Sequence, residues 1–135
     1  MNYWLLKTEP STYSWEDLFS DKKTVWDGIR NYQARNFMAD MKKGDQVLFY
    51  HTGSAKEIVG IAAVSKEAYA DPADAEWKVI EIIPVKKLKY SVSLGMVKAD
   101  KKLADMVLLK NSRLSVQPVT RTQFDQIIAL SQKSA

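Results

Sequence analysis

The chain has no cysteine. A disulfide, a thiolate nucleophile and a cysteine-bound zinc are therefore excluded. It has one histidine, His51, so a metal site built on paired histidines has no material, and no paired carboxylates stand at metal-ligand spacing. The five glycines, Gly28, Gly44, Gly53, Gly60 and Gly95, are scattered, which leaves no glycine-rich loop to cradle a phosphate. No G-x-S-x-G elbow marks a nucleophilic serine. No apolar run approaches the roughly 20 residues of a membrane-spanning helix. The opening MNYWLLKTEP holds only Tyr3 to Leu6 before Lys7 interrupts it, which is not the pattern of a signal peptide. These absences lean towards binding rather than turnover. They lead to the expectation of a cytoplasmic protein with no cofactor, no metal and no membrane partner, present as a monomer or weak dimer.

What is present is ordinary globular material. In 135 residues, 46% are apolar and 27% charged, which predicts a single domain over residues 1–135 with an independent core. A chain of this size buries roughly 68–70% of its unfolded surface. The net charge of +4 favours polyanionic partners modestly. The segment Lys86 to Lys110 carries seven lysines against Asp100 and Asp105, read either as a phosphate-facing surface or as a solvated one.

The pattern of elements predicts an α+β domain. A strand is expected over Tyr3–Lys7, and a capping box at Ser14–Asp17 starts a short helix to about Phe19. Ala34, Phe37, Met38 and Met41 lie on one face of a second helix, with Gly44 as its stop. Strands are expected over Gln46–His51, Glu57–Val64 and Trp77–Leu88. Pro84 marks an edge or a bulge in the last of these, and a turn-rich loop spans Tyr69–Glu76. A broken helical segment covers Ser93–Met106, a strand Ser112–Val119, and a capping box at Thr120 and Gln123 opens a final helix buried through Phe124, Ile127 and Ile128. The sum is a curled mixed sheet or pseudo-barrel of five to six strands, mostly antiparallel, flanked by short helices.

One stretch stands apart: TVWDGIRNYQARN, Thr24 to Asn36. Gly28 permits a backbone conformation or an approach that a larger residue blocks. Trp26 and Tyr32 offer flat apolar faces. Asp27, Asn31 and Asn36 offer hydrogen bonds to amide-like edges, and Arg30 and Arg35 offer planar forks for phosphates or rings. A nucleobase with its phosphate fits that set. A purely structural reading stands equal to it: Trp26 in the core, Asn31 capping the helix that follows, and Arg30 paired with Asp27 or Glu9. Elsewhere, Lys7, Thr8 and Glu9 form either an acid–base trio or a turn with a surface pair. His51 ends a buried strand, as a ligand contact or a hydrogen-bonded core histidine. Arg113 and Ser115 begin the last strand, within reach of a phosphate or on plain surface. The small residues of VGIAAV, Val59 to Val64, leave room for a neighbouring backbone or for a cavity, packing being the commoner reason.

The stretches NYWLLKTEPSTYSWEDL, VWDGIRNYQARNFM, MKKGDQVLFYHT, EIVGIAAVSKEAYADP and SRLSVQPVT resemble the EVE domain family in order and spacing, from Asn2 to about Leu130. The resemblance implies a PUA-like fold, a curled β pseudo-barrel with helices packed around it, similar to the YTH domain that reads a methylated adenine in an aromatic cage. It implies recognition of a modified base in DNA or RNA. Trp26 is then the cage candidate, with Asp27, Gly28, Arg30 and Asn31 in the matching loop. Tyr50 and His51 end a strand expected to line the pocket, together with Ser115. Arg30, Arg35 and Arg113 would meet phosphates. A different class, a small amidohydrolase-like enzyme on a modified nucleoside, would place its catalysis on Lys7, Thr8 and Glu9. A small-molecule-binding module is the third reading.

Overall fold

The computed structural model describes residues 1–133. The chain order is β1 (Tyr3–Thr8), α1 (Trp15–Asp21), β2 (Thr24–Trp26), α2 (Tyr32–Asp40), β3 (Gln46–His51), β4 (Glu57–Asp71), β5 (Asp74–Ser93), α3 (Leu94–Ala99), a 3₁₀ turn (Lys101–Leu103), α4 (Val107–Lys110), β6 (Val116–Val119) and α5 (Arg121–Leu130). The strands form one curled, unclosed sheet in the order β2–β5–β4–β3–β1–β6. β1 runs parallel to β3, and every other pairing is antiparallel.

Side-chain alternation splits the core in two. On β1, Trp4 and Leu6 face one cluster and Leu5 the other; on β3, Val47 and Phe49 oppose Leu48 and Tyr50. Both faces of these strands are covered, which is why their sequences are apolar throughout. The buried Asp45 carboxylate ties the start of β1 to the turn before β3. It accepts from the indole N–H of Trp4 at 3.0 Å, from the backbone of Lys42 at 2.9 Å and from that of Asn2 at 3.1 Å.

Both capping boxes form, at Ser14 with Asp17 and at Thr120 with Gln123. The helical segment after Ser93 breaks at Asp100, whose carboxylate caps the 3₁₀ turn. Three expectations are corrected. Tyr69–Glu76 is no loop: Tyr69 pairs with Val79 and Ala70 with Lys78, so the turn shrinks to Pro72 and Ala73 between Asp71 and Asp74. The Asp71 carboxylate closes that turn by accepting from the Ala73 N–H at 2.9 Å. Gly44 does not stop α2. The helix ends at Met41 in an extended conformation, and Gly44, at φ +94°, makes the following turn, donating to the Val64 carbonyl. The last strand starts at Val116 because the Gln117 amide donates back to the carbonyls of Leu114 and Asn111, which folds the preceding residues into a turn. Pro84 sits at a bulge, since Ile61 pairs with Lys86 and Ala62 with Pro84. The short β2 stops opposite Ile82, so no ladder partner waits for the missing N–H on that side.

Candidate functional site

β1 and β2 end side by side, and a cleft of about 430 Å³ opens between them. Its wall comes from Trp26 on β2 and from Tyr13 in the loop after β1. The two rings meet edge to face at 6.2 Å and 83°. That loop is held by the Tyr13 and Thr12 N–H groups donating to the Glu9 carbonyl, and by the Thr8 hydroxyl donating to the Tyr13 carbonyl at 2.8 Å. Trp26 is only 8% exposed, because Phe49 packs against it edge to face at 5.7 Å. The two sequence readings of Trp26 thus hold together: most of the ring is core, and what remains lines the cleft. Asp27, exposed, follows on the rim. Gly28 takes φ +76° with open space around it, so the turn needs glycine for its backbone and not for a close approach.

Lys7, Thr8 and Glu9 line the same cleft. Each polar group is already engaged nearby. The Lys7 ammonium donates to the Ser112 carbonyl at 2.6 Å, and the Glu9 carboxylate accepts from Ser11 and from the Thr52 hydroxyl. Among the described residues none of the three hydrogen-bonds another. Burial lowers the pKa of Lys7.

The other predicted residues lie elsewhere. Asn31 caps α2 by accepting from the Ala34 N–H at 2.9 Å. Arg30 pairs with the buried Asp71 at 3.2 Å, and with neither Asp27 nor Glu9. Arg35 donates to the Glu76 carbonyl and stacks on Tyr32 and Trp77. Tyr50 and His51 point away from the Trp26 cleft, to two different places. Tyr50 lines a neighbouring cleft of about 280 Å³ with Lys7, Lys56 and Ser112. His51 accepts at Nε2 from the Trp15 N–H at 3.1 Å and faces Glu16, Glu57 and Lys87. Ser115 offers its carbonyl to the Lys7 N–H in the ladder, and Arg113 is exposed in the turn before β6. Tyr13 and Thr12 line the cleft without having been singled out. Nothing in their local sequence marks them, since they reach the site only through the return of the chain after β1. A larger groove of about 700 Å³, between Tyr3, Phe37, Pro118 and Arg121, contains none of the predicted residues.

Fold and cleft together define an α+β chain with an open, curled sheet and an aromatic-walled cleft at the ends of β1 and β2. The EVE domain profile matches residues 2–130, and the chain belongs to that family. It is 33% identical to human thymocyte nuclear protein 1, over 98% of this chain and 75% of that one. An NMR structure from Rhodopseudomonas palustris superposes with a TM-score of 0.94 at 43% identity, covering 98% of this chain and 94% of the other. The crystal structure of human THYN1 protein in complex with 5-methylcytosine-containing DNA superposes with a TM-score of 0.92 at 30% identity, covering 100% of both chains. No helix among the described residues is long and apolar enough to cross a membrane.

Proposed function

We propose that this domain binds a modified nucleobase in DNA or RNA, with the base held in the cleft between Trp26 and Lys7. The observation that carries the reading is the cleft itself. It brings a flat apolar wall, Trp26 with Tyr13, against the carboxylate of Asp27, the hydroxyl of Thr8 and the cation of Lys7. Its volume falls in the range of small-molecule sites, roughly 300–1,000 Å³. The human relative's complex with methylated DNA supports the same class of ligand. Asp27 and the backbone beside Gly28 would read the base edge, and Arg35 and Arg113 would meet phosphates. Arg30, matched by Asp71, has less charge to offer. Against duplex DNA the base must leave the stack, which costs a few kcal/mol and favours pairs weakened by modification. The positive net charge makes binding weaken as salt rises.

The test is a titration of tryptophan fluorescence with free modified nucleosides and short oligonucleotides, on the wild type and on Trp26→Phe. Phenylalanine keeps an aromatic side chain against Phe49, so the fold is retained while the cleft wall shrinks. The expected result is quenching by one modified base, weakened about tenfold in Trp26→Phe, in keeping with the stacking contribution of a single base. Silence towards every nucleic-acid ligand overturns the proposal. Conversion of a nucleoside to a new product, lost in Lys7→Ala, would replace it with the hydrolase reading.

A further inference from the structure

Beyond the cleft, the loop Asp27–Asn31 and the start of α2 lean on the tip of the β4–β5 hairpin. Two rings and two guanidinium groups stack in that contact. The rings of Tyr32 and Trp77 lie 5.0 Å apart, tilted by 36°. The Arg35 guanidinium sits 4.7 Å from the Tyr32 ring and 5.6 Å from that of Trp77. Arg30 sits 5.5 Å from Trp77. The polar ends separate two jobs. Arg30 is neutralised by the buried Asp71 and so acts as a strut between loop and hairpin. Arg35 donates only to a neutral carbonyl, that of Glu76, and among the described residues no carboxylate forms an ion pair with it. Beside this cation, Tyr32 is 57% exposed, with its hydroxyl fixed on the Glu76 carboxylate at 2.9 Å. An oriented ring open to solvent, with a guanidinium on it, is the arrangement that stacks a base and meets its phosphate.

Resting on the function proposed above, we infer that Tyr32 and Arg35 form a second nucleotide subsite, which stacks a base up to three steps along the strand from the recognised one and holds its phosphate. The spacing fits. Trp26 pairs with Ile80, and Trp77 lies three residues further along β5, about 10 Å at strand rise. That span equals roughly three stacked nucleotide steps, and fewer when the strand is extended. Stacking on a tyrosine face is tolerant of base identity, so this subsite reads the presence and direction of a strand and leaves the choice of base to the cleft. Set off from the cleft in one direction along β5, the subsite is engaged by neighbours of one polarity.

The test uses calorimetric titration with three probes: 5-methyl-2′-deoxycytidine monophosphate, and thymidine tetranucleotides carrying 5-methylcytosine at the 5′ or the 3′ end. One tetranucleotide is expected to bind about tenfold more tightly than the mononucleotide, and the other no more tightly than it. Tyr32→Ala should abolish that gain, Tyr32→Phe should keep it, and neither should alter mononucleotide binding. Arg35→Gln should flatten the salt dependence of the favoured tetranucleotide. Equal binding of the two tetranucleotides, or an unchanged gain in Tyr32→Ala, overturns the subsite while leaving the cleft proposal standing. Failure of all three probes to bind overturns the subsite, whereas the cleft proposal falls only on silence towards the whole panel of modified nucleosides and oligonucleotides.

Discussion

The two sides of the sheet are built from different materials. One side packs Trp4, Trp15, Trp26 and Phe49 with α1 and α2, and Tyr13 and Phe37 lean on it. The other is largely aliphatic, with Leu5, Leu48, Ile58, Ile61 and Val92 under α3, α4 and α5. The candidate cleft opens from the aromatic side. Phe49 explains how that side can be both core and site. It takes Trp26, Trp15 and His51 edge to face at 5.6 to 5.8 Å. Such contacts fix ring orientation and add about 0.5–1.5 kcal/mol per pair beyond burial. A wall of rigid rings keeps its shape with part of its surface open. An aliphatic wall of the same size gains its stability from being closed.

If the sides divide labour in this way, damage to each should read out differently. The largest effect is expected on the aliphatic side. Ile127 of α5 is fully buried there, and alanine suits a helix, so Ile127→Ala isolates the loss of packing. It should cost about 2–5 kcal/mol, seen as a lower urea midpoint, while affinity for whatever fills the Trp26 cleft stays the same in the folded protein. A parallel loss of affinity would break the comparison, because the two sides would then act as one unit.

A smaller effect, with the opposite signature, is expected at Gly60. A Cβ placed there would come within 2.5 Å of the Trp15 ring, itself only 2% exposed. The ring has no room to turn aside, so α1 must move. Gly60→Ala should cost about 1–3 kcal/mol by overpacking. Because α1 follows directly on Tyr13, it should also weaken cleft binding, unlike Ile127→Ala. Unchanged affinity in a destabilised Gly60→Ala would show that Tyr13 is positioned by its own loop alone.

How far such effects were legible beforehand follows from the range of the interactions. Capping boxes are settled by neighbours in sequence and stand where their residues predicted them. Of the two readings of Pro84 the bulge holds, and the helical segment after Ser93 breaks at Asp100, with Gly95 inside α3. The small residues of VGIAAV read correctly as packing, with Gly60 beneath Trp15. The Tyr69–Glu76 stretch misled because Asp-Pro-Ala-Asp is rich in turn formers, whereas only two residues turn and the rest pair across a long hairpin. The candidate cleft was legible only in part. Trp26, Asp27, Lys7, Thr8 and Glu9 share a cleft, although the residues alone set them in rival hypotheses. Tyr50 and His51 do not join them: adjacent on β3, they point to opposite faces and line two other clefts. Ser115 meets Lys7 through its backbone carbonyl alone. The partnership of Arg30 with Asp71, 41 residues away, depends on hairpin length, which no local pattern encodes.

The smallest effect concerns His51, where the aromatic side meets the sheet end. Its Nε2 accepts from the Trp15 N–H, which only a neutral imidazole can do. Burial lowers its pKa below the usual 6.5, partly offset by the carboxylates of Glu16, Glu57 and Glu9, with Lys87 acting in the same direction as burial. A histidine pKa lower in the folded than in the unfolded chain means that the unfolded chain binds the proton first as pH falls. The stability contributed by the neutral ring is therefore complete above about pH 7, and it is lost progressively as pH drops through 6.5 towards the folded-state value. His51→Gln offers a neutral acceptor that does not titrate. Urea midpoints at pH 7.5 and 5.5 should fall in the wild type and fall less in His51→Gln. Identical falls would place the acid sensitivity on other groups. A flattened profile would mark the Trp15–His51 bond as the acid-labile tie of α1, and with it of the aromatic side that carries the cleft.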